Sequence, residues 1–568
     1  MAESDTPQQI VVCCDGTNNN LTGRTCDTNV VKLCELLARD PDPERLLFYD
    51  PGVGNPGHLP GATSWDKLQR IAERVAGLAF GRGVYENIAD AYLFLMRNHR
   101  PGSRIFIFGF SRGAFTARSL AGLVNQFGLL QPQMESMLPT LLHTYFADRE
   151  DERSHDAIAR ITRQTTELFA GPATRRVEIQ FVGVWDTVAS VGMPPFAARF
   201  TALPTAGGKR FVHVRQALAL DEHRAQFQPR PYIDANGPIH TDIGTPGSIE
   251  QLWFRGDHCD IGGGHVQDEA GLADHALCWL VSESVRAGLR LAPRGAPLDS
   301  EPAVAQALVD VNTPPAAGTL HSQLWHTSTW ALTGLAVRDN KLVRLDDGQT
   351  IPLLPHEHPS VAEQAPLFPA GTEWARARGK AAMLACLVLI PLLVLFLGHQ
   401  LAGEWAGGSL AGLLRANADF AWWQLSAWWP GTLGQTVQAF HAPRWAVVWD
   451  LALVAAYAYA LSWWAVRAFA RRAGCRRAGQ PVSSALNRLG WALPLAVFAD
   501  LAEDAATWFV VTLAVNDFEV LARLASLPMA VFAAAKFVGL AGTAVLIVWG
   551  LASRGLQGKP GTAQGQPA

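Results

Sequence analysis

Apolar and polar positions along this chain follow two different rhythms, and the change falls near residue 380. Before it, short apolar runs stop abruptly at polar or glycine-rich turns, as buried strands do. Residues 10–14 (IVVCC) form one such run, followed by Asp15, Gly16, Thr17 and Asn18. Residues 105–108 (IFIF) form another; they halt at Gly109-Phe110-Ser111-Arg112-Gly113, and a helix-compatible segment continues over 114–127. Residues 177–188 (VEIQFVGVWDTV) predict a third strand, whose pattern breaks at Asp186. Residues 251–265 (QLWFRGDHCDIGGGH) predict a fourth, ending near His258 ahead of a glycine cluster. The long connections between runs leave room for crossovers, so the expected class is α/β with a mostly parallel sheet flanked by helices.

Beyond residue 380 the chain turns rich in Ala, Leu, Val and Trp. Four segments are candidate membrane spans: 381–398 without a charge, 445–466 with Asp450, 491–513 with Asp500, Glu503 and Asp504, and 528–551 with Lys536. About 20 apolar residues cross a bilayer core. The expected organisation is therefore an α/β domain over 1–375, a helical membrane domain over 376–555 and a disordered polar tail over 556–568. The third segment also reads as a buried or interfacial amphipathic helix. Trp405, Trp422, Trp423, Trp428 and Trp429 between the first two spans predict an amphipathic stretch at the membrane interface. Asp500 and Asp504, four apart, share a helix face and pair most simply with Lys536. A structural ion pair, a proton or ion pathway and a headgroup site all stay open for them.

Basic residues set the expected topology. Arg376, Arg378 and Lys380 precede the first span; Arg467, Arg471, Arg472, Arg476, Arg477 and Arg488 lie between the second and third; Arg554 and Lys559 follow the fourth. The positive-inside rule then puts the α/β domain and the C-terminus in the cytoplasm, with the spans in a bacterial-type inner (cell) membrane. The N-terminal MAESDTPQQ has no apolar core, so no cleaved signal peptide is expected. Hydrophobic residues make up 49% and charged ones only 17%, against roughly 25% charged in soluble domains. The net charge of −3 argues against a nucleic-acid-binding surface. Eight scattered cysteines fit reduced thiols, and no Cys/His spacing suggests a metal or cofactor.

The stretch RIFIFGFSRGAFTAR around Ser111 carries the chemistry. Strand, sharp turn and helix with serine at the apex form the nucleophile elbow of serine hydrolases. Gly109 and Gly113 let strand and helix backbones approach so closely that a Cβ would collide. The elbow lifts the Ser111 hydroxyl clear of the sheet, and the Arg112 N–H faces a developing oxyanion. Serine is unreactive near neutral pH, so a histidine base and an orienting carboxylate are required. The order Ser, Asp, His is met by Asp186, 75 residues on, and His258, 72 further, both at strand ends where ligands gather. The turn after the first strand is a source of a second oxyanion N–H, from Gly16 or Thr17. Asp15 reads equally as a residue pinning that turn. Asp257 and Asp260 orient His258 or bind a cation; these alternatives stay open. Asp221, Glu222 and Arg224 read as a structural salt-bridge network. Residues 131–175 and 193–208 interrupt the core and are candidate lids.

Five blocks in order, CDGT, GFSRGAFTAR, GVWDTVASVG, ALALDEHRAQFQP and WFRGDHCDIGGG, resemble the type VI secretion phospholipase effector catalytic-domain family from about residue 10 to about residue 289. The resemblance implies an α/β-hydrolase fold, a triad on Ser111, Asp186 and His258, no cofactor, and hydrolysis of lipid acyl esters, often phospholipase A activity. It does not by itself make the chain a secreted effector. The expected partner is the lipid bilayer with its ester substrate. The competing expectation is a membrane transport or signalling module whose cytoplasmic domain is non-catalytic or acts on a soluble acyl ester.

Overall fold

A computed structural model of the chain describes residues 7–16, 27–52, 82–146, 152–171, 174–188, 211–234, 237–238, 248–266, 269–292, 295–310, 321, 328–336, 338, 342–344, 350–352, 356–363, 373–402, 410–426, 443–474, 484–516 and 518–552. Thr17, the candidate lid over 193–208, Trp405, Trp428, Trp429, Arg476, Arg477 and the tail over 556–568 lie outside the described residues. By internal contacts the chain divides into two compact units. One holds residues 1–222, 227–321 and 338–369; the other holds 223–226, 322–337 and 370–568.

The first unit is built on six parallel strands: β1 (Gln9–Cys14), β2 (Arg45–Asp50), β3 (Arg104–Phe110), β4 (Ile179–Trp185), β5 (Phe211–Ala219) and β6 (Ser248–Phe254). They lie in the order β2-β1-β3-β4-β5-β6. Helices α1 (Asn29–Arg39), α2 (Arg82–Asn98), α3 (Arg112–Phe127), α4 (Leu138–Tyr145), α5 (Glu152–Phe169), α6 (His258–Gly262), α7 (Gly271–Arg286) and α8 (Glu301–Asp310) surround the sheet. Side chains alternate along each strand, so a strand buried on both faces must be apolar at every position. In β1, Ile10, Val12 and Cys14 pack with α2, α3 and α4 on one face, through Ile88, Leu120 and Leu141 among others. Val11 and Cys13 pack with α1, α7 and α8 on the other, through Leu33, Leu280 and Val304. Leu138, Leu141 and Tyr145, in the first insertion expected as a lid, belong to this core.

Polar residues inside the sheet are paired. Arg215 in β5 is buried, and its Nε lies 2.6 Å from Glu283 Oε2 on α7 and 3.4 Å from Glu250 on β6. A buried arginine survives there because its charge has carboxylate partners on two neighbouring elements.

The second unit is helical. Its long helices are α9 (Glu373–Ala402), α10 (Leu410–Ser426), α11 (Pro443–Gly474), α12 (Ala492–Val515) and α13 (Glu519–Ala552). Three of them, through Lys380–Leu397, Val447–Phe469 and Val520–Gly550, are long and apolar enough to cross a membrane. α12 forms over the third expected span but carries three carboxylates, and it is not among these three. Exposure in this unit is inverted. Phe498, Leu501, Phe509, Leu524, Val531 and Val538 face outward, while Asp500, Glu503 and Asp504 are buried. On α10, Trp423 is buried beside Leu397 and Val510 while Trp422 is exposed.

Candidate active site

Ser111 sits between β3 and α3 with φ 58° and ψ −120°, a conformation that costs a non-glycine residue about 1–3 kcal/mol. Its neighbours hold it there. A Cβ on Gly109 would strike the Gly113 carbonyl, as the elbow requires. A Cβ on Gly113 would strike the carbonyls of Cys14 and Asp15, so that glycine answers to β1 rather than to β3. The Ser111 N–H donates to the Trp185 carbonyl at 3.1 Å, tying the turn to the end of β4. Only 8% of the residue is exposed.

Asp186 follows β4 directly, fully buried and with φ 40°. Its N–H donates to the Ala217 carbonyl at 2.8 Å, and its Oδ1 accepts the Ala219 N–H at 3.0 Å. His258 is the first residue of α6, between Phe110 and Phe227, whose ring centroids lie 4.7 and 5.0 Å from the imidazole. The three side chains form one hydrogen-bonded series: His258 Nδ1 to Asp186 Oδ2 at 2.6 Å, and His258 Nε2 to Ser111 Oγ at 2.7 Å. With the imidazole proton on Nδ1, Nε2 is free to accept the serine proton. The ends of β3, β4 and β6 thus deliver the three expected residues to one point beyond the carboxyl edge of the sheet.

Arg338 has no local signature in the sequence. Its guanidinium is buried against Asp186, with Nη1 2.5 Å from Oδ1 and Nη2 2.9 Å from Oδ2. It also donates to the carbonyls of Ala219 and Phe227. Burial works against ionisation of Asp186, but Arg338 and His258 outweigh it and hold the carboxyl down at about 2. Asp186 therefore stays charged while it fixes the imidazole.

The supporting residues divide by role. Asp15 is buried and structural: its Oδ1 accepts the Gly16 N–H at 2.6 Å, and its Oδ2 accepts Thr28 Oγ1 at 2.8 Å and Tyr49 OH at 3.0 Å. Thr28 in turn caps α1 through the Val31 N–H. The Gly16 N–H, expected to face an oxyanion, is held by that carboxylate. Arg112 opens α3, where the first amides have no partner within the helix. Asp257 and Asp260 make a reciprocal capping box on α6, fixing the short helix that starts with His258. Glu222 accepts the His258 N–H at 3.3 Å. Asp221 pairs with Arg255 at 2.7 Å.

Asp260 reaches further. Its Oδ1 meets His321 Nδ1 at 2.6 Å, and His321 Nε2 meets Glu269 Oε2 at 3.0 Å. Burial, then the adjacent Asp257, push the Asp260 carboxyl up to about 6. His321 is buried too, but Asp260 and Glu269 push it up to about 9, so near neutral pH the two form an ion pair. Ligand-type atoms of Asp260, His265 and His321, and of Asp257, Cys259 and His265, come within 4.8 Å of one another. The His265 and His321 rings stack face to face at 3.7 Å.

The chain is similar in part to three sets of known proteins. A crystal structure of an uncharacterized protein from Pseudomonas aeruginosa aligns over 88% of this chain and 67% of its own, at 16% identity and a TM-score of 0.31. An uncharacterized protein of Saccharomyces cerevisiae is 34% identical over 245 residues, which make up 41% of this chain and 34% of that protein. The matched region thus spans about a third of the length of that relative. The family model described as T6SS, phospholipase effector Tle1-like, catalytic domain, matches residues 8–283.

Proposed function

We propose that the protein is a membrane-anchored serine hydrolase that cleaves acyl esters of lipids, of phospholipase A or lipase type, on an α/β-hydrolase fold. The family match supports a lipid-hydrolysing function in general. The observation that carries the finer reading is the series Ser111–His258–Asp186, with contacts of 2.7 and 2.6 Å, in a strained turn beyond the sheet.

In this reading Ser111 Oγ attacks the ester carbonyl carbon while His258 Nε2 takes its proton. The negative charge that forms on the carbonyl oxygen is met by the Arg112 N–H and by a donor from the turn after β1. Asp15 already takes the Gly16 N–H, and Thr17, the other donor expected of that turn, lies outside the described residues. The imidazolium then passes its proton to the departing alcohol oxygen as the C–O bond breaks, leaving an acyl-serine. Water, deprotonated by the same nitrogen, attacks the acyl carbon, releases the fatty acid and restores Ser111. Asp186 keeps its charge throughout and holds the Nδ1 proton. No cofactor enters these steps.

The catalytic domain is assigned to residues 1–375 and the membrane domain to 376–555, in an inner (cell) membrane with the catalytic domain and C-terminus cytoplasmic. The inverted exposure of the helices supports the anchor, which raises the local concentration of lipid substrate. A fluorophosphonate probe, followed by release of fatty acid from phospholipid vesicles, tests the chemistry. Wild type labels and Ser111→Ala does not; equal labelling of both removes the nucleophile assignment. A cysteine introduced near Arg476 tests the topology: it reacts only after the membrane is permeabilised, and labelling in intact cells reverses the orientation.

A further inference from the structure

Six side chains that ester hydrolysis does not use meet among the helices of the second unit. α11 brings Asp450 and Tyr457, α12 brings Asp500, Glu503 and Asp504, and α13 brings Lys536. Lys536 Nζ lies 2.8 Å from Asp500 Oδ1 and 2.5 Å from Glu503 Oε2. The Tyr457 hydroxyl donates to Asp500 Oδ2. One oxygen each of Asp450, Asp500 and Asp504 falls within 4.8 Å of the others. Glu503 is 0% exposed and Asp504 3%, and Asp504 Oδ2 is buried with no hydrogen-bond partner.

The charges do not balance. Four carboxylates face one ammonium, in helices whose outer faces carry Phe498, Leu501, Phe509 and Val531. Ion-pairing with Lys536 accounts for Asp500 and Glu503 at most, and Tyr457 adds only a neutral hydroxyl. Asp450 and Asp504 remain, close to each other and to Asp500, with like charges repelling in a medium that screens them poorly. A proton held between Asp450 and Asp504, which are hydrogen-bonded to each other, or a second positive charge beside the unpartnered Asp504 Oδ2 would close the balance. The donors are all oxygens, without thiolate or imidazole, which selects a hard cation. A divalent ion removes twice the charge of a monovalent one at the same place.

We propose that Asp450, Asp500 and Asp504 form a binding site for a hard divalent cation of the calcium–magnesium class, tying α11 to α12, with Lys536 and Tyr457 holding Asp500 in position. The proposal rests on reading these helices as bilayer spans and is independent of the chemistry at Ser111.

The test uses the full chain in lipid nanodiscs, stripped with a chelator and titrated with Ca²⁺ alone or Mg²⁺ alone at fixed pH. One-site saturable binding and a rise in melting temperature are expected for at least one ion below about 1 mM. Asp504→Asn and Asp450→Asn should each weaken binding by about tenfold or more, and one folded variant suffices. Asp419→Asn, an exposed carboxylate on α10, and Ser111→Ala should bind as wild type does. Absence of saturable binding by either ion, with a melting temperature that responds to pH alone, overturns the proposal in favour of shared protons. Unchanged binding in a folded Asp504→Asn also overturns it. Loss of hydrolysis in Ser111→Ala with binding intact separates this result from the hydrolase reading, and failure of the chain to partition into bilayers separates it from the membrane reading.

Discussion

Arg338 grips both oxygens of Asp186, at 2.5 and 2.9 Å, from 152 residues further along the chain. The carboxylate that orients His258 is thereby bound on one side by an imidazole and on the other by a guanidinium. Replacing Arg338 by Met strands a fully buried charge, and breaking such a pair costs about 3–5 kcal/mol. Lysine keeps the charge but not the two-pronged geometry, so Arg338→Lys should fall between the two. Denaturant unfolding and turnover on a short soluble ester check this together. Acid titration adds a sign. Asp186 is depressed to about 2, so its stabilising contribution is present above the usual range near 3.9 and is lost as pH falls through about 2. In Arg338→Met this loss should begin at higher pH; stability that is unchanged from wild type across that range contradicts the role given to Arg338.

Ser111 should separate activity from stability. Ser111→Ala is expected to lower turnover by about 10⁴–10⁶-fold. Ser111→Gly should be equally inactive yet melt higher than Ser111→Ala, because glycine adopts φ 58° without strain. A glycine variant that melts lower than the alanine variant would show that the elbow stores no strain.

Gly113→Ala probes the floor of the site. Its new methyl would meet main-chain oxygens of Cys14 and Asp15, which cannot rotate aside as a side chain can. The expected result is a loss of at least about 1–3 kcal/mol and of activity, because Ser111 must move with the helix start. Gly264→Ala is a control for added volume, since a Cβ there meets nothing within 4 Å; its φ of 109° adds backbone strain of its own. Normal activity in Gly113→Ala would mean that β1 yields to the helix.

His321 gives the folded protein an alkaline limit. Its raised value means that the stability linked to the protonated imidazole is fully present below the ordinary range near 6.5 and is lost as pH rises through about 9; the ion pair itself stands between about 6, where Asp260 gives up its proton, and about 9. Unfolding measured from pH 6.5 to 9 should show stability falling, and His321→Gln should flatten that slope. A slope that persists in the glutamine variant assigns it to another group.

The parts of the site legible in the sequence are those with local signatures. Ser111, Asp186 and His258 each stand where an apolar run breaks, and a strand's end can be read from a few residues. β5 has no plain apolar pattern because His213, Arg215 and Gln216 interrupt it; the burial of Arg215 and Gln216 makes sense only once Glu283 and Gln251 are beside them. Arg338 stands in a polar stretch and looks like a surface residue, since no neighbour in sequence announces the carboxylate it meets. The Gly16 amide reads as facing outward because a turn's sequence does not say which N–H its own aspartate will take. In the helical unit, length and apolar content were legible for α9, α11 and α13. The carboxylates of α12 are the reason that helix reads both as a span and as a buried helix.

The place of Arg338 in the chain also sets an order of events during synthesis. Domains fold from the N-terminus as they emerge, and a nascent chain folded through residue 283 already holds Ser111, Asp186 and His258. It lacks the guanidinium that balances Asp186, so that carboxylate is buried with only the imidazole and the Ala219 N–H beside it. Arg338 precedes Glu373, where α9 begins, by only 35 residues. The last counter-charge of the site and the first of the long apolar helices therefore leave the ribosome in close succession, and in the function proposed above the hydrolase domain would mature as its anchor is delivered to the membrane.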